Sequence, residues 1–514
     1  MYLALERLPM ARFAFKGGVH IPNPYPVRKS EIKQVPPPEQ VVLLLQQRVG
    51  GEAKPCVKLG DRVLTGQIIA QTTGKFPTNV HASISGVISA IEKRPIPHPS
   101  GIDAMCMVID SDGKDEWIEI EKCDKEFLNC TPDKVIQRIR EAGIVGMGGA
   151  GFPTHAKITN AQGAHTLIIN ATECEPGIMC DDSLMQEYPR EIIRGIEVLM
   201  HACGAKKVIV AIEDDKPEAL NSLLMYNFNN RISIEQIPTK YTSGAEKLLI
   251  KALLGIEIQS GAYASDHGIL CQNVGTVKAI YDAVIDNKPL ISRVVTVTGS
   301  AVKSPRNYEA RLGTSFAQVV ESSEPNNQAH HIRMGGMMMG VDIPNAQYSI
   351  CKITNCIFVN NKKPQPTVKE CIRCSACAPV CPVNLLPQQL YWHSKSENIE
   401  KALEYNLTDC IECGCCNYVC PSNIPLSEYF SFAKALERKL TREEQRIDRS
   451  RERFEFREYR LERNKKERTE MMAAKKKALK EKMAKDKEKD QEQKDKIAQA
   501  MARVEQAKED KNNA

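Results

Sequence analysis

Two stretches of this chain, CIRCSACAPVCP at 371–382 and CIECGCCNYVCP at 410–421, carry four cysteines at the same C-x2-C-x2-C-x3-C spacing, each followed by proline. Three thiolates at consecutive x2 gaps sit on one tight loop and can grip three corners of one compact polynuclear object. A fourth ligand must then arrive from elsewhere. Pro382 and Pro421 turn the chain out of the site, because proline cannot continue a helix and restricts the residue before it. Zinc ordinarily takes C-x2-C pairs set well apart and has no use for a third cysteine at the same gap. A disulfide framework fits poorly with 514 residues, an odd total of 19 cysteines and no visible signal segment. The pattern therefore points to two [4Fe–4S] clusters. Cys415 falls inside the second run but off its spacing and reads as a bystander.

The runs are similar to those of bacterial two-cluster ferredoxins, in which the fourth cysteine crosses to the other cluster. That resemblance implies one set of Cys371, Cys374, Cys377 and Cys420, and another of Cys410, Cys413, Cys416 and Cys381.

A chain of this length holds several domains. No run of 18 apolar residues occurs, so no span of a bilayer is expected. The opening MYLALERLPMARFAFKGG breaks its apolar residues with charges and has no cleavable signal pattern, which favours a cytosol-facing, reducing setting. Residues 441–514 hold 24 Lys/Arg and 18 Asp/Glu, the whole of the net charge of +6, so the body is neutral. This tail lacks glycine, proline and cysteine and reads as a charged helix or a solvated disordered segment. Its interleaved acids, with no aromatic platform beside the lysine-rich stretch, argue against a nucleic-acid partner.

In the middle, GIVGMGGAGFPTHAKI at 143–158 makes a loop of little bulk from Gly146, Gly148, Gly149 and Gly151. Such a loop lets backbone N–H groups approach a phosphate or flavin. Its spacing matches neither a Rossmann fingerprint nor a Walker A loop. A helix is expected before it (PDKVIQRIREAGIV) and a buried strand after it (LIIN). AKKVIVAIEDDKPEALNSLL alternates strand and helix, and YTSGAEKLLIKALLG and CQNVGTVKAIYDAV each place a small polar loop before a helix.

With those elements in view, the chain resembles the C-subunit family of the Rnf electron-transport complex, and its middle resembles the flavin- and NADH-binding subunit of respiratory complex I. The resemblance spans residues 10–440. It implies that Gly146, Gly148, Gly149, Gly151, Phe152 and Lys157 belong to a loop that cradles non-covalent FMN, although Met147 replaces an arginine of the complex I form. Asn170, Ala171, Thr172, Glu173, Cys174, Glu175, Pro176 and Gly177 correspond to N-A-D-E-x-E-P-G, with Thr172 in place of aspartate. Tyr241, Gly244 and Glu246 match Y-x-x-G-x-E, and Asn273 with Thr276 match N-V-x-T, elements that line the flavin. By the same analogy Phe152 stacks on the nicotinamide, and Glu173 and Glu175 face the dinucleotide.

Residues 57–93 resemble a biotinyl/lipoyl-type barrel-sandwich domain. Lys75 lies near a lipoyl-lysine position, but TTGKFP replaces the Asp-Lys-Ala hairpin, so a packing module is expected rather than a lipoylated one. SRVVTVTGSAVKSP at 292–305 resembles a small β-grasp module that spaces flavin from clusters, and NNKKPQPTVK at 360–369 is a linker.

The expected fold is thus multidomain α/β and α+β: a barrel-sandwich segment at 1–125, an FMN/NADH α/β domain at 126–288, a β-grasp module at 289–360, a ferredoxin-type helical two-cluster domain at 361–440 and the tail at 441–514. A hydride delivers two electrons while a cube takes one, so a flavin must stand between NADH and the clusters. The expectation is a peripheral electron-input subunit on the cytoplasmic face of the bacterial inner membrane, joined to integral-membrane subunits and a ferredoxin-type carrier. The same parts suit a soluble NADH-dependent diaphorase module of a hydrogenase or formate dehydrogenase, or a cluster-only relay without flavin.

Overall fold

The computed structural model describes residues 15–25, 31–46, 51–74, 76–98, 101–120, 127–327, 331–362 and 366–512; Lys75 and part of the linker lie outside them. The chain forms two compact units, Met1–Ala433 and Lys434–Ala514.

The N-terminal module is built from two small antiparallel sheets. One runs in the order Gln40–Leu44, Asp103–Ser111, Gly86–Pro95, Arg62–Val63; the other in the order Lys54–Pro55, Ile68–Gln71, Asn79–His81. In QVVLL the residues Val41 and Leu43 are buried and Val42 and Leu44 are half-buried, the period of two that turns alternate side chains inward. Gly86 permits the close crossing of the long hairpin, since a Cβ there would sit on the Asp110 carbonyl oxygen.

The central domain carries a four-stranded parallel sheet in the order Ile232–Ile237, Lys207–Glu213, Thr166–Ala171, Ile269–Asn273. Its two inner strands are nearly continuous aliphatic runs because helices cover both faces. The helix Pro132–Glu141 starts on a Thr131 cap with proline in its first turn, and its buried Val135, Ile136 and Ile139 repeat at helical intervals. The helices Pro189–Cys203 and Val274–Val284 approach so closely at Gly195 that a Cβ would lie 2.5 Å from the Val277 carbonyl oxygen. In register, Asn170 lies beside Asn273, so the C-terminal ends of adjacent strands share one edge. Ligands of open α/β sheets bind at such an edge.

The third module is a mixed six-stranded sheet in the order Lys33–Gln34, Arg306–Arg311, Ser292–Thr298, Cys356–Asn360, His331–Met334, Val341–Ile343. Three modules meet at Lys352, which is 3% exposed. Its Nζ donates to the Asn79 carbonyl of the first module at 3.0 Å and to the Gly143 carbonyl of the second at 2.7 Å.

The cysteine runs follow, with short helices at Pro387–Lys395, Ile399–Glu404 and Cys415–Tyr418. Leu390, Ala402, Leu407 and Phe430 are buried there. A single helix covers Leu426–Asn512. Beyond Thr441 its described side chains are exposed on every face, with i,i+4 pairs such as Arg463–Glu467 at 3.5 Å. No helix among the described residues is long and apolar enough to cross a membrane.

Candidate functional site

The eight run cysteines gather into two cavities. Cys381 joins Cys410, Cys413 and Cys416 around the first, and Cys420 joins Cys371, Cys374 and Cys377 around the second. These are the crossed sets that the ferredoxin resemblance implies. Cys415 also lines the first cavity, and a hydrogen bond from its thiol holds Cys413 below the usual thiol range. The sulfurs of either set are too far apart for one ion. Among the described residues only Glu173, Cys180 and Asp181 bring three such ligand atoms within 4.8 Å of one another. A tetrahedral zinc–thiolate site needs sulfurs roughly 3.8 Å apart, from Zn–S bonds near 2.3 Å. A wider object with four corners suits these cavities.

The first cavity abuts the central domain. The Tyr241 hydroxyl donates to the Cys413 carbonyl at 2.6 Å, and Tyr241 packs with Val19, Cys413 and Cys415 in a small apolar cluster touched by Cys174 and Met338. The strip at 17–19 closes this seam: the Gly18 N–H donates to Val380 O, Val19 pairs with Tyr241, and Gly17 lies against the Cys381 carbonyl. The second cavity is lined only by residues of the cluster region, with Cys374 exposed and Ile372 69% exposed.

The glycine loop folds back on itself. The Gly146 N–H donates to Phe152 O at 2.8 Å, the Gly151 N–H to Gly146 O at 3.1 Å, and Val145 bridges Pro153. Gly149 (φ +100°) and Gly151 (φ +65°) hold the left-handed backbone that glycine favours. The Met147 N–H donates to Thr276 Oγ1 at 2.9 Å, and a Cβ on Gly148 would lie 3.2 Å from Asn273. The predicted Asn273 and Thr276 are therefore brought to the glycine loop, where Asn273 also caps the helix Val274–Val284. Asn170 Nδ2 donates to Gly244 O at 2.8 Å, and Lys157 pairs with Glu246 at 2.6 Å. The small side chains, close backbone approach and adjoining polar groups suit a flavin phosphate and ring.

Three further predicted residues make well-defined contacts. Glu173 accepts the Asp181 and Asp182 N–H groups at 3.0 and 3.1 Å, closing the N-terminus of the helix Cys180–Glu187. Burial, with Asp181 nearby, pushes its carboxyl up to about 8. Glu175 accepts the Met338 and Met339 N–H groups at 2.6 and 3.0 Å, and burial raises it too. Both carboxylates thus accept from backbone amides. The Tyr241 hydroxyl reaches the cysteine cavity.

Known protein families cover the same stretches of sequence. Family models match at 13–114 (RnfC barrel sandwich hybrid domain), 139–282 (Nuo51 FMN-binding domain), 294–342 (SLBB domain) and 370–424 (4Fe-4S dicluster domain). The C subunit of the ion-translocating oxidoreductase complex of Haemophilus influenzae strain PittEE is 44% identical over 456 residues, 87% of this chain and 70% of that protein. The chain belongs to this C-subunit family. The Vibrio cholerae O395 member is 44% identical over 461 residues, covering 88% of this chain and 60% of its own, and the Klebsiella pneumoniae member is 45% identical over 469 residues, covering 89% and 61%. The chain thus spans about three fifths of the length of those two relatives. A chain of an NAD+-reducing [NiFe]-hydrogenase superposes with a TM-score of 0.43 at 20% identity, covering 59% of this chain and 61% of its own. The matched domains make this a flavin and iron–sulfur protein.

Sequence reasoning missed Glu213. It ends the strand Lys207–Glu213, accepts the Glu173 N–H at 3.0 Å and the Ser243 hydroxyl at 3.1 Å, and is raised to about 7 by burial. A carboxylate at the C-terminal end of a parallel strand was the available signal. Phe76 was also missed; its ring centroid lies 5.3 Å from that of Phe152, at 63°.

Proposed function

We propose that this chain is the peripheral electron-input subunit of a membrane-bound, ion-translocating complex, passing electrons between NADH and ferredoxin-type partners through FMN and two [4Fe–4S] clusters. Its seat is the cytoplasmic face of the bacterial inner membrane, against integral-membrane subunits of the same complex. Bound flavin supplies the exchange between a two-electron hydride and one-electron carriers. Gly146, Gly148, Gly149 and Gly151 admit it without steric conflict, Asn170, Gly244, Asn273 and Thr276 fix the surrounding backbone, and Lys157 with Glu246 stands at the rim. Phe152 offers a flat apolar face to the incoming nicotinamide. Glu173 and Glu175 position their loop through backbone amides.

The observation that carries the reading is the hydrogen bond from Tyr241 to the Cys413 carbonyl, which joins a flavin-domain loop to the cavity of Cys381, Cys410, Cys413 and Cys416. That set is the proximal station. The set of Cys371, Cys374, Cys377 and Cys420, with its exposed rim, is the exit.

Anaerobically purified protein is expected to hold one FMN and about eight irons, and to bleach on NADH addition. Iron-replete protein without flavin, or zinc in place of iron, overturns the reading. Recovery of the native protein with membranes, and its release by mild salt, tests the peripheral seat.

A further inference from the structure

Between the strands Ile68–Gln71 and Asn79–His81 the barrel-sandwich module forms an arm whose base is bonded across from Thr72 to Thr78. The Thr72 N–H and hydroxyl donate to Thr78 O at 3.3 and 3.2 Å, and the Thr78 N–H returns to Thr72 Oγ1. Directly after it, Asn79 is fastened to the central domain. Its Nδ2 donates to Glu141 O at 3.0 Å, and its carbonyl shares the Lys352 ammonium with Gly143, the residue that opens the glycine-rich stretch. The base of the arm is therefore tied to the start of the glycine-rich stretch, partly through one side chain from a third module.

Phe76 lies at the tip of this arm, edge-on to Phe152. Both rings are only half-buried, unlike the fully buried aromatics that close a core. Two partly exposed rings on separate modules, one of them in the glycine-rich stretch, form an apolar corner. A planar heterocycle can stack on either face. To enter between them it needs the centroids roughly 7 Å apart, the far end of the aromatic-pair range, against 5.3 Å here.

We propose that Phe76 is a second aromatic wall of the dinucleotide site, offering its own free face to a planar heterocycle of NADH beside Phe152, and that Lys352 is the positioning residue that holds it there. The proposal rests on the functional reading above. It makes the barrel-sandwich tip a binding element, where the resemblance to lipoyl-type domains predicts only packing.

The test uses the flavin- and cluster-loaded protein. Phe76→Leu keeps apolar bulk without a ring, Phe76→Ala removes both, and Phe76→Trp restores a ring. Leu and Ala are expected to raise the KM for NADH about 3- to 10-fold, the worth of one aromatic pair, with kcat, flavin and iron little changed; Trp stays near the wild-type KM. A Leu variant with wild-type KM, or variants that lose flavin before they lose NADH affinity, overturns the proposal. Wild-type loaded protein that neither binds nor oxidises NADH overturns the functional reading itself, a result distinguishable from either.

Discussion

Replacing Lys352 with methionine should exchange one pH-dependent cost for a pH-independent one. Burial lowers the Lys352 ammonium from an ordinary 10.5 to about 7, with no compensating carboxylate among the causes. The neighbouring His81 is lowered to about 3 by the same burial and by Lys352, so it stays neutral throughout the useful range, and Arg293 donates to the lysine's own carbonyl. Below about pH 7 folded and unfolded chains both hold the lysine proton, and the folded state bears the full cost of a buried ammonium. Between about 7 and 10.5 the unfolded chain keeps its proton while the folded one sheds it. Folding stability therefore rises with pH across that window. The shift of 3.5 (10.5 − 7) sets a ceiling of about 5 kcal/mol at 1.36 kcal/mol per unit. Methionine removes this cost but leaves the Asn79 and Gly143 carbonyls without their donor, about 1–3 kcal/mol each. The variant is expected to match or exceed the wild type at pH 6 and to fall below it at pH 9. Hydrogen exchange of the Asn79–His81 strand and of the amides around Gly143, corrected for intrinsic rates, reads the junction directly. Parallel pH profiles for the two proteins would refute the reasoning.

Three further outcomes are expected. Gly148→Val drives a side chain toward Asn273, 3.2 Å from the position of its Cβ, and should abolish flavin retention while sparing iron; loss of iron alone contradicts the division between flavin and cluster sites. Cys381→Ala should remove or convert the cluster held by the 410–416 run while leaving the other intact, and Cys420→Ala should do the reverse. Redox-titrated electron paramagnetic resonance distinguishes these from uncrossed ligation, in which each variant would damage its own run's cluster. Ending the chain after Leu440 should leave flavin, iron and NADH oxidation within about twofold, because the two cysteine cavities and the bonds of the glycine loop are built, among the described residues, from positions before Thr441. A large loss of NADH oxidation would assign the tail a role in catalysis.

Much of the site could be read from spacing because its chemistry is local. Four cysteines within a dozen residues, or four glycines within six, declare themselves without knowledge of the fold. The strand Thr166–Ala171 and the helices Pro132–Glu141 and Val274–Val284 were legible for the same reason, through aliphatic runs and periodicity over short windows. What escaped depends on distant partners. Lys352 sits in SICKITNC, where nothing separates it from a surface lysine; its two acceptors lie 273 and 209 residues away. Phe76 gains its meaning only when the hairpin meets Phe152. The bonds that Glu173 and Glu175 make to helix and loop amides likewise needed the fold, Glu175 reaching Met338 and Met339 across 163 and 164 residues. The tail could not be decided between helix and disorder from composition. Its helix, continuous to Asn512, follows from uninterrupted helix formers and i,i+4 charge pairing.

The seam at 17–19 has a bearing on biosynthesis. Gly18 and Val19 leave the ribosome early, but they bond to Val380 and Tyr241. At about 5–20 residues per second, the wait for Val380 lasts on the order of 20–70 s. Until then the strip has no cysteine loop to pair with, and the site of Cys381 and the 410–416 run is not complete until still later. The earliest described segment of the chain thus finds its partner only when one of the last modules is made, against the backbone beside Cys381.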